Sequence, residues 1–374
     1  MMKRVLQFLI VLMTVFFIPI VWNNMHYNIW AARDILFTLY SVLLFGIYIC
    51  FYNDKANFPR WFFYFMIWVI ISYTLNFFRP ALALFYFMKG VYAFILIYAL
   101  YGLIKGKDIP YLLNAICLAV MIQIIWLILQ AWNIDPIHFA VSIGGNPNPT
   151  ARDPLVGFMG NGHLLALLIA ISTPFFIRKQ KIAILLPFIG LCVLQSTLGF
   201  ISAIVGVFIY YLFALKQKKY LRYILIGLFV SGIAYLKFID MPNFERVKIW
   251  EYLIISILKA PFFRLIWGYG LGTLTNMRVG INRVVYSQPH SDLLSLILEI
   301  GMIPVILFIG SYILSKVKIA WQLRNDEEAN KLFASFCIIV MSFLFSFPFH
   351  IPTLAFISLI IIAMLEVKHK ERNI

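Results

Sequence analysis

Ser287-Gln288-Pro289-His290-Ser291-Asp292, with the segment that continues through Glu299, Gly301 and Pro304, decides how the chain reads. At this point a polar loop turns into an apolar stretch of about 20 residues, long enough to cross a bilayer as a helix. Pro289 suits a first helical turn, and Ser287 or Ser291 can cap it. A helix start presents unpaired N–H groups and a positive partial charge, which attract phosphate. The same field disfavours an imidazolium, so His290 is expected to be neutral and able to accept a proton.

Working outward, the composition excludes a soluble globular protein. Hydrophobic residues make up 63% of the 374 positions and charged residues 12%, and the mean hydropathy is +0.91. The expected class is an all-α, polytopic integral membrane protein. No polar stretch is long enough for a soluble domain, so a single transmembrane domain over 1–374 is expected. The net charge of +16 does not point to nucleic acid, because most Lys and Arg lie in short clusters between apolar segments. That pattern belongs to cytoplasmic loops. Cys50, Cys117, Cys192 and Cys337 all fall inside apolar segments without a CxxC pair. They read as buried, inert thiols rather than as a disulfide framework or a zinc site. Lys3-Arg4 and the apolar run to Ile20 resemble a signal sequence but lack a small-residue cleavage site, so an uncleaved first helix is expected.

Hydrophobic runs predict about 12 spans, near 5–22, 34–52, 61–78, 81–104, 110–131, 161–177, 182–196, 199–215, 220–238, 292–315, 332–347 and 350–366. With this count, the basic clusters at Lys3/Arg4, Lys55/Arg60, Lys105/Lys107, Arg178/Lys179/Lys181, Lys216/Lys218/Lys219/Arg222, Lys316/Lys318/Arg324 and Lys368/Lys370/Arg372 all fall on one side. That side is expected to be cytoplasmic, with both termini on it. The chain then divides into N-terminal helices (1–131), an outer loop (132–160), helices (161–238), a long outer loop (239–290) and C-terminal helices (291–366). Long loops between packed spans are functional or disordered. The first contains Gly144-Gly145-Asn146-Pro147-Asn148-Pro149 and is turn-rich. The second contains an amphipathic stretch from Phe244 to Ala260. Val247, Ile249, Trp250, Leu253, Ile254, Ile257 and Leu258 share one face, and Glu245, Lys248, Glu251, Tyr252, Ser256 and Lys259 lie largely opposite. This predicts a helix resting at the outer membrane surface.

The chemistry-bearing residues gather on the outer side. His26, His138, His163, His290 and His350 map there, but no HxxxH or HxxE spacing supports a metal, and none is expected. His290 stands apart because Asp292 is close and Glu299 lies two turns further along. Carboxylates inside a span usually face protein or water. The plain structural alternative is that His290 and Asp292 cap the helix while Glu299 pairs with Lys89. Lys89, mid-span in Phe87-Met88-Lys89-Gly90, needs an acidic partner or a polar ligand, since a midplane Lys costs roughly 2.5–3.5 kcal/mol on insertion scales. Arg246, Arg264, Arg278 and Arg283, with Arg152 and Arg79 elsewhere, run against the cytoplasmic bias. Guanidinium groups grip pyrophosphate through paired donors, and contact with lipid headgroups is the alternative. Gly268-Tyr269-Gly270-Leu271-Gly272 lacks dinucleotide spacing and reads as a turn that permits close backbone approach. Asp326-Glu327-Glu328 reads as a solvated linker. No internal repeat, P-loop or nucleotide-sugar site is readable, so no cofactor is expected.

Four blocks resemble the O-antigen ligase and O-antigen polymerase superfamily. They are Gly157-Phe158-Met159-Gly160-Asn161-Gly162-His163-Leu164-Leu165-Ala166; Gln195-Ser196-Thr197-Leu198-Gly199-Phe200; Glu245-Arg246-Val247-Lys248-Ile249-Trp250 through Gly268-Tyr269-Gly270-Leu271-Gly272; and Pro289-His290-Ser291-Asp292-Leu293-Leu294 through Glu299-Ile300-Gly301. A fifth, Phe347-Pro348-Phe349-His350-Ile351-Pro352, resembles the closing turn of the family. The resemblance covers roughly 155–365, and its specificity comes from the order of the blocks.

The resemblance implies an inverting, metal-independent glycosyltransferase at the outer face of the bacterial cytoplasmic membrane. Its donor would be a polyprenyl-diphosphate-linked glycan, and its acceptor another glycan chain or a lipid A core of lipopolysaccharide. The family's catalytic histidine falls on His290 and its R-x-x-x-W arginine on Arg246; Arg152, Arg264, Arg278, Arg283, Asp292, Glu299 and Lys89 are the expected substrate-binding set. Two positions depart from the pattern. Ser291 stands where many members have Asn, and Thr197 where many have Arg, so one phosphate contact is absent or comes from Arg152, Arg264, Arg278 or Arg283. Polymerase and ligase remain undivided, because acceptor contacts leave no readable spacing. A transporter or flippase for lipid-linked sugars is the alternative; paired repeats and broken midplane helices, which mark many transporters, are not evident in the sequence.

Overall fold

The computed structural model is a helical assembly. It describes residues 2–15, 28–51, 60–75, 80–134, 155, 162–177, 181–214, 245–270, 279–281, 284–286, 291–346 and 352–372. The elements in order are α1 (Met2–Val15), α2 (Asn28–Phe51), α3 (Arg60–Leu75), α4 (Pro80–Leu103), α5 (Ile109–Ala131), α6 (Gly162–Ser172), α7 (Leu185–Val193) and α8 (Thr197–Ala214). There follow α9 (Glu245–Leu258), α10 (Phe262–Trp267), a hairpin of β1 (Val279–Ile281) and β2 (Val284–Tyr286), and α11 (Asp292–Ile300). The chain ends with α12 (Met302–Gln322), α13 (Glu327–Phe345) and α14 (Pro352–Arg372).

Two helices form the middle. In α14 every residue from 353 to 365 is buried, as expected for a helix with no polar face. It packs on α4, α13, α2 and α1, and Thr353 Oγ1 donates to the Met13 carbonyl at 3.2 Å. In α6 and the 3-10 turn after it, residues 164–177 are buried, enclosed by α8, α13, α7 and α5. The outward side chains are large and apolar, among them Leu39, Leu43, Phe63, Ile125, Ile204, Leu307 and Leu314. So continuous an apolar exterior suits lipid rather than water.

Among the described residues three helices are long and apolar enough to cross a membrane: Gly106–Ala131, Thr197–Ala214 and Met302–Gln322. Ile35–Phe51, Phe63–Thr74, Phe87–Leu103 and Gly162–Phe176 are shorter apolar helices. The expected span at 220–238 lies outside the described residues. The expected span at 182–196 holds a 3-10 turn, Lys181–Ile184, running straight into α7, whose 9 residues bring the helical length to about 22 Å against a hydrocarbon core of roughly 30 Å. The expected span at 292–315 is two pieces: α11 stops at Ile300, Gly301 takes φ +99°, and α12 restarts with a π-helical stretch at Val305–Gly310.

Several basic clusters meet at one end of the assembly. Lys3, Lys105 and Lys107 border one pocket, and the Gly106 amide donates to the Glu371 carboxylate at 2.6 Å. Lys316 on α12 pairs with Glu366 on α14. Lys368 Nζ lies 3.2 Å from Asp326 and 2.6 Å from Glu328. Asp326 also caps α13, accepting the Ala329 amide at 3.0 Å. The run at 326–328 is therefore not a free linker: it is the acidic half of a clasp between α13 and α14. Burial works to lower the Lys368 pKa, but the hydrogen bonds and charges of Glu328 and Asp326 outweigh it and hold the pKa above its usual value. Burial, with the charges of Lys316, Arg372 and Lys318, holds His369 below its usual value. The thiols also differ from expectation. Cys117 is buried, whereas Cys50 and Cys192 are exposed on helix surfaces, where an apolar sequence neighbourhood means lipid-facing as readily as core.

Gly268 and Gly301 both occupy left-handed backbone, and a Cβ on either would collide with backbone of the other's segment: Glu299 for Gly268, Ile266 for Gly301. Gly268→Ala and Gly301→Ala should each destabilise the protein by about 2 kcal/mol or more. Gly46→Ala, at a helical position with open space around it, should be neutral or stabilising. Thermal melting of the three variants in one detergent checks this.

Candidate functional site

The site is built on α11, nine residues long. The helix starts at Asp292 with Ser291, one of the two serines the sequence offers, as its cap, so Pro289 falls before the cap and not in the first helical turn. Ser291 is extended, with φ −153° and ψ 114°, and its Oγ accepts the Leu294 amide at 3.3 Å. The Ser291 carbonyl accepts from Ser295 Oγ at 2.8 Å and from the Ser295 amide at 3.1 Å. The Asp292 amide donates to the Ser346 carbonyl at 2.8 Å, tying the helix start to the end of α13. Since α13 is 19 residues long, this junction lies about 28 Å along that helix from the Lys368 clasp. The site and the basic clusters thus occupy opposite ends of α13.

These bonds change one expectation. The start of α11 was to offer N–H groups to phosphate, but the amides of Asp292 and Leu294 already donate to Ser346 and Ser291. Asp292 itself adds a carboxylate to the first turn, where it complements the helix dipole in place of an external anion.

Three faces of α11 do different work. Leu294, Ile297 and Leu298 pack against Ile249, Leu253 and Ile257 of α9, with Leu265 and Tyr269. Leu293, Leu296, Ile297 and Ile300 pack with Phe65 and Val69 of α3 and Phe87 of α4. The third stripe, Asp292, Ser295 and Glu299, is polar and buried, with Asp292 1% and Glu299 6% exposed. Spacings of three and four place these three residues one above another on the same side.

The far end of α11 is held as firmly as the near end. Its last carbonyls lack intrahelical donors, and the turn after α10 supplies them. The Tyr269 amide donates to the Leu298 carbonyl at 2.7 Å, and the Gly270 amide to the Glu299 carbonyl at 3.0 Å. Ser72 Oγ reaches the Trp267 carbonyl at 2.8 Å and the Glu299 carbonyl at 3.4 Å. Trp68 Nε1 donates to the Ile300 carbonyl at 3.3 Å, and its ring stacks on Trp267 with centroids 4.4 Å apart. The close backbone approach expected of Gly268-Tyr269-Gly270 is made onto the last turn of α11. Ser72, Trp68 and Trp267 were not singled out by sequence reasoning; each is a lone residue in an apolar run, and only the tertiary contact gives it a role.

The expected site residues divide accordingly. Asp292 and Glu299 are together on the buried stripe. Arg264 turns back to its own loop, donating from Nη1 to the Gly268 carbonyl at 3.1 Å, with its guanidinium 5.1 Å from the Tyr269 ring centroid. It serves the turn that holds α11. Lys89 is half-buried on α4, two residues from Phe87, which packs with Leu293. A helix, α9, is present within the amphipathic stretch, but only part of its expected apolar face is covered. Ile249, Leu253 and Ile257 are covered by α11, while Ile254 and Leu258 stay exposed. The backbone at Arg246 belongs to α9, one turn before Ile249, and its side chain lies outside the described residues. His290, Arg152, Arg278, Arg283, Arg79 and Thr197's expected substitutes in the loops, apart from Arg264, also lie outside them.

Ser291→Ala should cost about 1 kcal/mol of stability through loss of the cap, and Ser291→Gly only a few tenths. Denaturation of the two variants side by side reads the difference; equal losses would mean the Ser291 hydroxyl is not what caps α11.

No protein-family model matches the chain, and no curated protein is detectably similar to it in sequence.

Proposed function

We propose that the chain is a multi-pass membrane glycosyltransferase of the O-antigen ligase or polymerase kind, acting on polyprenyl-diphosphate-linked glycan at the outer face of a bacterial cytoplasmic membrane. The observation that carries the reading is the packing of α9 on α11. It docks the helix that contains Arg246 against the helix that begins immediately after His290, beside a buried Asp292. In this reading about 12 spans, the undescribed one at 220–238 included, keep the basic loops and both termini on the cytoplasmic side. The exposed edge of α9, with Ile254 and Leu258, rests in the outer membrane surface.

In this reading the reaction is an inverting displacement at the anomeric carbon. The lipid of the donor lies against the apolar helix exterior, and its diphosphate is gripped by Arg246 with Arg152, Arg278 and Arg283. His290, neutral, takes the proton of an acceptor hydroxyl as that oxygen attacks the anomeric carbon from the face opposite the diphosphate. The new C–O bond forms as the bond to the diphosphate oxygen breaks, and polyprenyl diphosphate leaves with the electron pair. Asp292, next but one to His290 and fixed through its amide to Ser346, stabilises the imidazolium that results. Glu299, on the same stripe, contacts the glycan. The acceptor is a second glycan chain or a lipid A core.

A second reading has one observation in its favour. The helix break at Gly301, with the π-helical stretch after it, resembles the discontinuous helices of transporters. A flippase would use the same arginines and Lys89 to move a lipid-linked sugar without chemistry.

Purified protein given a lipid-linked oligosaccharide donor separates the two: transferred or lengthened glycan identifies the enzyme, relocated and unchanged donor the flippase. His290→Ala should lower transfer by about 10²–10⁴ if His290 is the general base. Arg246→Lys should also lower it, since Lys cannot reproduce a bidentate grip. Undiminished transfer by a stably inserted His290→Ala protein would remove His290 from the mechanism.

A further inference from the structure

At the end of the assembly remote from α11, two adjoining concavities share Lys3. The first, about 420 Å³, has Leu103 in its lining and Lys3, Lys105, Lys107, Asp108 and Tyr111 around it. Leu103 is 1% exposed, and Lys3 Nζ lies 3.6 Å from the Tyr111 ring centroid. The second, about 660 Å³, is lined by Lys3, Arg4, Val5 and Phe8, with Phe8 62% exposed. The two walls of the first concavity are joined: Gln7 Nε2 donates to the Tyr111 carbonyl at 3.1 Å, fixing α1 to α5. The Gly106 amide, between Lys105 and Lys107, is held by Glu371 at 2.6 Å.

We propose that this pair of concavities binds one acidic glycerophospholipid, with its phosphate among Lys3, Lys105 and Lys107 and an acyl chain along Val5 and Phe8. Charge selects the headgroup. Lys3, Lys105 and Lys107 come from two separate segments, and with Arg4 in the second concavity they outnumber the two carboxylates there, Asp108 and Glu371, so among the described residues the bowl keeps a positive balance that attracts an anion. Asp108 refines the choice, because a carboxylate on the rim accepts hydrogen bonds from headgroup hydroxyls. A glycerol-phosphate headgroup satisfies both the lysines and Asp108, and a choline headgroup satisfies neither requirement as well. The adjoining concavity, where Val5 and Phe8 lie beside Lys3 and Arg4, distinguishes lipid from free phosphate, which has nothing to place against Val5 and Phe8. Basic pockets between helices are a known form of headgroup recognition in membranes. The site does not depend on the glycosyltransferase reading.

The test uses the full chain in neutral detergent micelles doped with phosphatidylglycerol, phosphatidylcholine or inorganic phosphate, with melting temperature and native mass spectrometry as readouts. Phosphatidylglycerol should bind saturably, remain bound in the mass spectrum and raise the melting temperature. Phosphatidylcholine and inorganic phosphate should do none of these. The triple variant Lys3→Gln, Lys105→Gln, Lys107→Gln should bind about a hundredfold more weakly, roughly fivefold for each lysine. Phe8→Gln should weaken binding severalfold, and Lys259→Gln, in the turn just past the end of α9, should leave it unchanged. If the triple variant does not insert, Lys105→Gln and Lys107→Gln singly carry the test. Wild-type affinity in the lysine variants, equal binding of phosphatidylcholine, or full competition by inorganic phosphate would each overturn the proposal.

Discussion

The constraint on which the site rests is the need to satisfy backbone carbonyls where a helix stops inside an apolar surrounding. Without water, an unpaired carbonyl costs several kcal/mol, so a broken helix survives only where protein supplies donors. At the end of α11 the donors are the Tyr269 and Gly270 amides, Ser72 Oγ and Trp68 Nε1. At its beginning the Ser346 carbonyl and Ser291 Oγ take up the free amides. A nine-residue helix held this way has no freedom to rotate.

Rigidity here links the two halves of the site. The turn that closes α11 belongs to the same loop as α9, so the chain passes from Arg246 through α9 and α10 to the very carbonyls that end the helix following His290. Movement of α9 would disturb the pairing of Tyr269 and Gly270, and loss of that pairing would release α11. Burial of Ile249, Leu253 and Ile257 against Leu298 gives a second, apolar bond between the same helices. The aromatic stack of Trp68 on Trp267 extends the connection to α3. The proposed mechanism draws on this fixed spacing of the two helices, because group transfer requires its participants to be held in place.

How much of this was readable depended on the range of the interaction. The cap at Ser291 and the amphipathic stripe of α9 are local signals, carried by residues within two turns of each other, and both were legible. The break at Gly301 was not: one glycine in an apolar run is tolerated by a continuous helix, and its role rests on Leu265 and Ile266 far away in sequence. Nor was the clasp of Lys368 with Asp326 and Glu328, because acidic residues in a short polar stretch look identical whether solvated or paired. Helix α14 illustrates a third limit. Lipid and protein interior are equally apolar, so hydropathy identifies the helix without telling that it lies at the centre. For the loops bearing His290, Arg152, Arg278 and Arg283, residue type is what the sequence offers.

The central claim is that His290 stands at the outer mouth of α11, one length of α13 away from the basic end. Its most direct test is thiol labelling in intact cells of proteins whose native cysteines are replaced by serine and which carry either His290→Cys or Lys105→Cys. A membrane-impermeant maleimide should label position 290 from outside and position 105 only after the membrane is opened. Labelling of both positions from the same side would contradict the account.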